Sequence, residues 1–419
     1  MEVSYRLHVV GDEPTRDHVL PDLPGSTSYE PGMIDRFGEQ VHSSLPLIAG
    51  SGIAGSALGA TLLRRGGGGI FTGIVGGIAG ALSGVALGGI GLAAVRGIGS
   101  HRPPQEAQHA PVADPTVHEA ERVKVMTYNL HGGMGGPGAF GSSSQELDRL
   151  ADVIRREQPD VLLLQESDNF GTRSNYRDTM RELDRRLGSD SAVGATAETT
   201  ITGRDQEVAV MTFNGFTVED ARNIVHADPR GGGFPVRFSS WLRDAKTAVG
   251  SILGKDWSEG TGYAVRNTID TMIRTPKGNE VRVLAGHYEW PNAVDHQARQ
   301  VGSVAGALDA WNGPTIWGAD FNVQRSSRWG ESEQQIMGRA GLHDAFESVP
   351  DDRRLPIPDR VSNPGHVNAA GGGIDRIYAS DQARAIDAHV VNEAGDASDH
   401  LPVVAEFDLV PDSGATAAS

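Results

Sequence analysis

The chain has 419 residues, a formal net charge of −17 and no cysteine. Its length allows two or three domains with one large core, and the lack of cysteine excludes disulfides, thiol nucleophiles and thiolate metal sites. The acidic balance, with no long run of Lys or Arg, argues against tight non-specific binding of DNA, but it leaves a local basic groove or a metal-mediated phosphate contact open.

The first 121 residues are predicted to form three segments. Residues 1–44 are a polar N-terminal segment that lacks the basic start and apolar core of a secretory signal. Residues 45–99 are hydrophobic and rich in glycine, and residues 100–121 are a Pro-rich linker. We therefore expect a protein that is membrane-associated, or that is secreted or delivered by a route without a conventional signal peptide.

The hydrophobic segment 45–99 has the pattern of a glycine zipper. One row of glycines recurs at every fourth position, at Gly76, Gly80, Gly84 and Gly88. About twenty apolar residues span a bilayer, and a glycine face at this spacing allows close approach of helices in lipid. The pattern favours membrane insertion, as a transmembrane helix, or helix self-association. A flexible Gly/Ala-rich linker is the alternative.

Residues 122–410 alternate between strand and helix patterns, which predicts an α/β domain. A capping box formed by Ser143 and Glu146 marks the start of one helix. The other predicted helices are 176–187 and 294–308, and the predicted strands are 123–128, 160–164, 207–212, 264–274, 281–285, 374–378 and 402–409, with one more ending in the stretch 315–322. Residues 411–419 are small and polar and are predicted to be a disordered tail.

Polar side chains stand at the ends of these strands. In the stretch 315–322, Asp320 and Asn322 follow a buried run, and an extended backbone would point both toward one spot while Phe321 turns into the core. Singly, such residues have ordinary explanations as Asx turns, caps or satisfied core histidines. The whole set comprises Asn129, Glu166, His287, Asp320, Asn322, Asp375, Asp399 and His400.

Taken together, this set has the composition of a catalytic site. Metal-assisted hydrolysis of a phosphoester needs carboxylates to hold the ion, a base for the attacking water and a donor for the leaving oxygen. Carboxylate and carboxamide oxygens are hard ligands that suit Mg²⁺. The sequence therefore predicts a phosphoester hydrolase that uses Mg²⁺, with Mn²⁺ as the alternative ion.

At this point the chain resembles a known family. Six ordered motifs carry the resemblance: TYNLHGG, PDVLLLQE, AGHY followed by Arg299 and Gln300, GADFN, IDRIY and SDHLPV. They are similar to motifs of the endonuclease/exonuclease/phosphatase superfamily, whose members include DNase I-like nucleases, neutral sphingomyelinases and inositol polyphosphate phosphatases. The resemblance covers about 122–410 and implies a four-layer α/β/β/α sandwich, two mixed sheets packed face to face with helices outside.

The resemblance also implies roles at the metal and at the attacking water. Glu166 looks like the principal Mg²⁺ ligand, with Asn129 and Asp399 beside it. His400 looks like the base that deprotonates the water, and Asp375 like the carboxylate that fixes the tautomer of His400.

The remaining implied roles concern the phosphate. Asp320 and Asn322 would orient the nucleophile and the phosphate, and His287 would contact the phosphate and stabilise charge near the leaving group. Arg266 matches a position where family members often place a phosphate-binding arginine. A strand-edge salt bridge is the alternative role for Arg266.

One region departs from the family. Residues 226–263 are an insertion that opens with three glycines at 231–233 and carries apolar residues at helical spacing up to Trp257. An amphipathic surface helix packed on the domain is the simplest interpretation. The functional alternative is a substrate lid or a lipid-contacting element.

Several function classes remain open on the sequence alone. The favoured one is a DNase-like nuclease with DNA as its substrate, delivered as a toxin or effector with the help of 45–99. The alternatives are a membrane-associated phospholipid or sphingomyelin phosphodiesterase and a phosphomonoesterase. Outside enzymes, the chain would be a membrane scaffold with an inactive domain, or 45–99 would form a pore or an oligomer by itself.

Overall fold

The structure is a computed structural model that describes residues 7–10, 117, 119–137, 139, 141–169, 174–175, 177–199, 205–226, 266–289, 296–308, 311–356, 360–363 and 373–410. The glycine-rich segment 45–99, the linker up to 116, residues 227–263 of the insertion and the tail 411–419 lie outside the described residues. Their predicted structures and the domain boundaries stay predictions. Among the described helices, none combines the length and apolarity that a membrane span needs.

Thirteen described strands form two mixed sheets. They are β1 Leu7–Val10, β2 Glu121–Asn129, β3 Val161–Asn169, β4 Ser191–Thr199, β5 Asp205–Thr212, β6 Thr217–Val225, β7 Asn267–Arg274, β8 Glu280–His287, β9 Thr315–Asp320, β10 Leu342–Asp344, β11 Asp375–Ser380, β12 Ala383–Val390 and β13 Val403–Leu409. The seven-stranded sheet has the order β1-β4-β5-β3-β2-β13-β12, and the six-stranded sheet has the order β10-β11-β9-β8-β7-β6. The β2–β3 and β8–β9 pairs are parallel, and the other pairs are antiparallel.

Four described helices lie on the outer faces of the sheets. They are α1 Ser144–Glu157, α2 Thr179–Leu187, α3 His296–Gly306 and α4 Arg328–Arg339. The single turn α5 Ala345–Ser348 instead contributes Ala345 and Phe346 to the apolar core between the sheets. The predicted helix start is confirmed at α1, where the Glu146 amide donates to the Ser143 hydroxyl at 3.1 Å, which is one of the two bonds of a capping box. Such a cap stabilises a helix by about 1 kcal/mol.

Three apolar cores hold these layers together. The central core joins the facing sides of the two sheets, with Leu163 and Val210 from one sheet and Ile316 from the other. The two outer cores pack α1 and α2 on the seven-stranded sheet and α3 and α4 on the six-stranded sheet. The order is therefore helix, sheet, sheet, helix, and the predicted α/β class is confirmed.

The two sheets approach each other closely at Gly318 in β9. A Cβ atom added there would lie 2.5 Å from Leu163 Cδ1 and 3.1 Å from Thr127 Cβ, both on the seven-stranded sheet. Real side chains do not pack at such separations, so only glycine fits this position. The glycine sits two residues before Asp320 and sets how near that strand end lies to the opposite sheet.

The structure also contains elements that the sequence patterns did not predict. These are β1, β4, β6, β10, β12, α4 and α5. The first of them falls in the N-terminal segment, where β1 pairs antiparallel with β4 from Leu7 to Val10 and forms the outermost strand of the seven-stranded sheet. Experiments on the catalytic region therefore need the full chain.

Candidate active site

Three adjacent strands of the six-stranded sheet place three side chains in a row. Asp320 ends β9 and pairs in register with His287 at the end of β8 and with Asp375 at the start of β11. Residues opposite each other on paired strands present their side chains on the same face of the sheet. The sheet therefore brings one histidine and two carboxylates to one edge, with Asp320 in the middle, and all three are buried.

Asp320 joins the two sheets. Its Oδ2 accepts a hydrogen bond from Asn129 Nδ2 at 3.0 Å, and Asn129 ends β2 of the opposite sheet. Burial, followed by repulsion from the Asp375 carboxylate, raises the pKa of Asp320 to about 7, although His400 and two hydrogen bonds oppose this change. A carboxyl group with a pKa in that range can hold or release a proton near neutral pH.

Asn322 does not continue the strand, which corrects the expectation of an extended backbone through this residue. β9 ends at Asp320, and Asn322 has a φ of +56°. The Asn322 amide donates to Asp320 Oδ1 at 2.9 Å, which closes an Asx turn, and its side chain donates to the Tyr288 carbonyl at 2.8 Å. Asn322 reaches the site because the turn folds it back.

His400 is held by Asp375, as the resemblance implies. His400 Nδ1 lies 2.8 Å from Asp375 Oδ2, and the same oxygen accepts from the Ser362 hydroxyl at 2.6 Å. Burial alone lowers the pKa of His400, but the carboxylates of Asp375, Asp320 and Asp399 outweigh it and raise that pKa well above its usual value. The same carboxylates make the neutral form of the His400 ring a stronger base for a proton from a bound water.

Asn363 covers the other side of the His400 ring. Its Nδ2 lies 2.9 Å from His400 Nε2, while its Oδ1 is buried without a hydrogen-bond partner among the described residues. When His400 carries both ring protons, Nε2 needs an acceptor. Asn363 supplies this acceptor when its side-chain amide is rotated by 180°, because the oxygen and nitrogen of a carboxamide then exchange positions.

His287 has a different set of neighbours. Its Nδ1 lies 3.0 Å from Arg266 Nη1, and its Nε2 lies 3.5 Å from Asp320 Oδ2 and 3.9 Å from Glu166 Oε1. Arg266 also faces Glu289, with 3.9 Å between Nε and Oε2. The structure thus places Arg266, predicted to bind the phosphate, against the histidine predicted to do the same.

Glu166 lies at an irregularity of its strand. The register between β3 and β5 shifts between Leu164 and Ser167, and Glu166 has a φ of +52°. A positive φ is unfavourable for a residue with a side chain and marks a backbone held by its surroundings. The Glu166 carboxylate is 18% exposed, more than the Asp320 carboxylate at 1%, so it faces the mouth of the site.

Asp399 lies at the junction of two loops. The Ser398 hydroxyl donates to the Asn129 carbonyl at 2.7 Å and to Asp399 Oδ1 at 3.4 Å. His131 Nδ1 lies 3.7 Å from the same Asp399 oxygen. The loop before β13 is thereby tied to the end of β2, which brings Asp399 to the same edge as Asn129.

The residues present fit a divalent metal. Asp320, Asp375 and His400 are buried, with ligand atoms within 4.8 Å of one another. Asp375 Oδ1 is buried without a hydrogen bond among the described residues, so an acceptor oxygen is available there. This buried Asp/Asp/His group differs from the predicted trio of Glu166, Asn129 and Asp399, for which ligation stays a prediction.

Four residues at the site had no predicted role. Ser362 and Asn363 lie in a stretch without periodicity or motif, so no sequence signal marked them. Glu289 follows the AGHY motif, and His131 lies within the TYNLHGG motif, so the motifs themselves were the available signal. The structure brings all eight strand-end residues and Arg266 to one edge, and their catalytic roles stay predictions.

The fold agrees with the family comparison. The sequence model of the Endonuclease/Exonuclease/phosphatase family matches residues 126–400, so the chain belongs to this family. A search of the curated proteins found no match. The class that family and fold define is that of the phosphoester hydrolases.

Solved structures that are similar to this chain include proteins from bacteria and human. An endonuclease/exonuclease/phosphatase from Beutenbergia cavernae has a TM-score of 0.51 and 21% identity, over 69% of this chain and 72% of that one. The human nocturnin catalytic domain with bound sulfate has a TM-score of 0.46 and 17% identity, over 69% and 95%. A mannosyl-6-phosphatase of Bacteroides thetaiotaomicron has a TM-score of 0.46 and 14% identity, over 68% and 99%. Similarity at this level concerns the fold and does not assign a substrate.

Proposed function

We propose that the protein is a divalent-metal-dependent phosphodiester hydrolase that acts on DNA. One observation carries the chemical part of this proposal: the in-register row of His287, Asp320 and Asp375, with His400 bonded to Asp375. His400 supplies the base, Asp375 the carboxylate that orients it and His287 the donor, and all three are buried at one sheet edge.

The proposed reaction is the attack of water on phosphorus. His400 takes a proton from the water, whose oxygen forms the new bond to phosphorus while the bond to the leaving oxygen breaks. Asp375 orients the His400 ring and stabilises its positive charge. Asp320 and Asn322 orient the water and the phosphate, and His287 donates a hydrogen bond to the phosphate. The leaving oxygen takes up a proton from solvent, and His400 later returns its proton to solvent, so charge and atoms balance.

Mg²⁺, with Mn²⁺ as the alternative, is the proposed ion. Glu166, Asn129 and Asp399 are the proposed ligands, and the buried carboxylates of Asp320 and Asp375 are further candidates. When bound, the ion neutralises phosphate charge and stabilises the charge that develops in the transition state.

Replacing Glu166 by Gln should therefore raise the metal concentration needed for half-maximal activity, by about 10- to 100-fold.

DNA is the proposed substrate, and a phospholipid diester is the second candidate. The family includes nucleases, and a metal-mediated phosphate contact is compatible with an acidic protein. The hydrophobic segment 45–99 is the observation that favours a lipid. Membrane insertion through this segment and delivery as a toxin are additional hypotheses about the same region.

The test uses the full chain, because β1 belongs to the catalytic sheet. Plasmid DNA, sphingomyelin liposomes and bis-nitrophenyl phosphate are incubated in parallel with Mg²⁺, with a chelator and with the His400→Ala variant. Nicked plasmid that disappears with the chelator and with the variant supports the proposal. Phosphocholine release with intact plasmid would replace DNA by lipid. Failure to cleave all three would remove the phosphodiesterase proposal.

A further inference from the structure

We propose that Arg266 is a positioning residue that fixes the tautomer of His287, so that His287 presents its Nε2–H to the phosphate. The inference goes beyond a phosphate-binding arginine, because it assigns the guanidinium to the histidine and not to the substrate. Its kinetic part rests on the proposed function, while its structural part can be measured without any substrate.

The contact between the two side chains determines the direction of the hydrogen bond. Arg266 Nη1 lies 3.0 Å from His287 Nδ1, and the contact is buried. A guanidinium has donors and no acceptor, and it stays protonated in proteins. His287 Nδ1 must therefore accept, which places the single proton of the ring on Nε2.

With its proton on Nε2, His287 can donate a hydrogen bond into the site. Nε2 lies 3.5 Å from Asp320 Oδ2 and 3.9 Å from Glu166 Oε1, so it is directed toward the catalytic carboxylates. A proton on Nε2 turns a donor toward these oxygens and toward a phosphate bound beside them. The opposite tautomer would direct a lone pair at the two carboxylates and offer the phosphate no donor.

The Arg266 side chain is confined by burial and by the charge of Glu289. Arg266 Nε lies 3.9 Å from Glu289 Oε2 and makes no hydrogen bond among the described residues, and both side chains are almost fully buried, at 9% and 8% exposure. The Arg266 carbonyl accepts from the His226 amide at 2.9 Å, just before β7 begins beside His287. Backbone and side chain therefore fix Arg266 against the ring, and this anchoring fits a positioning role better than a direct contact with substrate.

The first measurement is the tautomer of His287 in the metal-free, full-length protein. Ring nitrogen NMR distinguishes a protonated from an unprotonated nitrogen, and the His287→Gln variant assigns the signal by its loss. We expect a protonated Nε2 and an unprotonated Nδ1. A proton on Nδ1 would overturn the inference, even if the protein proves to have no phosphodiesterase activity.

The second measurement is a double-mutant cycle on the hydrolysis of bis-nitrophenyl phosphate. Arg266→Gln should lower kcat by about 10- to 100-fold, as expected when the partner that orients a catalytic histidine is lost. In the His287→Gln background the same change should have almost no further effect. Additive losses would mean that Arg266 acts independently of His287 and would overturn the inference.

Two control variants separate this effect from the loss of any charge. Arg274→Gln removes the arginine at the other end of β7, which forms partly exposed ion pairs with Glu219 and Glu280, and it should leave kcat unchanged. Glu289→Gln weakens the anchoring of Arg266 but keeps its contact with the ring, so the tautomer signal should persist. Loss of that signal in Glu289→Gln, with the fold intact by circular dichroism, would point to Glu289 as the determinant instead.

Discussion

The two histidines of the site have partners of opposite charge. His400 Nδ1 faces the Asp375 carboxylate at 2.8 Å, whereas His287 Nδ1 faces the Arg266 guanidinium at 3.0 Å. A carboxylate favours a protonated ring, and a guanidinium permits only the neutral ring with its proton on Nε2. The same side chain is thus adapted to two tasks, accepting a proton in one place and donating a hydrogen bond in the other.

The two histidines also belong to different sheets. His287, Arg266 and Asp320 all belong to the six-stranded sheet or its immediate ends, whereas His400 precedes β13 of the seven-stranded sheet. The bond between His400 and Asp375 therefore crosses from one sheet to the other. Changes in the distance between the sheets should affect His400 and leave the His287 pair in place.

The largest expected effect comes from removing the proposed base. His400→Ala should lower kcat on bis-nitrophenyl phosphate by about 10²- to 10⁴-fold, the range typical of general-base catalysis. The matched control is His389→Ala, since His389 also pairs with an aspartate, Asp387 at 3.3 Å, but at a partly exposed position of β12. Equal activity of His400→Ala and wild type would refute the assignment of the base.

The next effect concerns the partner of that base. Asp375→Asn keeps the size of the side chain but removes the charge that stabilises a protonated His400, so kcat should fall by about 10- to 100-fold. Ser362→Ala, which removes only the second hydrogen bond to Asp375 Oδ2, should cost less. A loss in Ser362→Ala that equals the loss in Asp375→Asn would show that the charge of Asp375 is unimportant.

The sequence predicted the centre of the site because chemistry and secondary structure coincide there. His287, Asp320 and Asp375 follow or begin short apolar runs, and the ends of adjacent strands meet at one sheet edge. The order of the strands, which makes these three residues neighbours, was not predicted from any local pattern. Local patterns also do not give register, because register is set by pairing between distant strands.

The rest of the site could not be predicted for identifiable physical reasons. Asn363 reaches His400 from a segment with no periodic pattern, and its contact depends on the tertiary fold. Asn322 was expected to extend the strand, but the Asx turn to Asp320 competes successfully with β-structure at a strand end. The partner of Arg266 was not visible because the Arg266–His287 contact joins strands whose register the sequence does not specify.

A smaller effect should appear in the stability of the protein after removal of metal. Asp320 has a pKa of about 7 in the folded chain and an ordinary value of 3.8 when exposed, so the folded state holds its proton more tightly. Its contribution to stability is therefore complete below about pH 4 and is lost as the pH rises through about 7. His400, whose pKa is also raised, contributes stability that is lost at higher pH still.

The Asp320→Asn variant isolates this contribution. Tm of both proteins is measured with a chelator at several pH values. Between about pH 4 and pH 7 the Tm of wild type should fall relative to the Tm of the variant. A difference that does not vary with pH would mean that the Asp320 carboxyl titrates normally. Added Mg²⁺ should raise the Tm of wild type at neutral pH, since an ion that binds the folded state stabilises it.

The smallest expected loss of activity comes from a variant that changes the distance between the sheets. It tests whether His400 and His287 respond differently to that change. Gly318→Ala places a methyl group 2.5 Å from Leu163 Cδ1, so a neighbouring group must move. Because Leu163 is fully buried, we expect the sheets to shift apart, at a cost of about 1–3 kcal/mol in the free energy of unfolding. Gly338→Ala is the control, because no atom lies within 4 Å of a Cβ at this exposed position near the end of α4, and alanine favours a helix by up to about 1 kcal/mol.

The two histidines should respond differently to Gly318→Ala. The hydrogen bonds from His400 to Asp375 and from Asn129 to Asp320 cross between the sheets and should weaken, which lowers kcat. The bond from Arg266 to His287 lies within one sheet, so the NMR signal of the His287 tautomer should stay as in wild type. If the His287 signal changed while kcat did not, the two histidines would not be positioned independently, and the division of roles between them would have to be reversed.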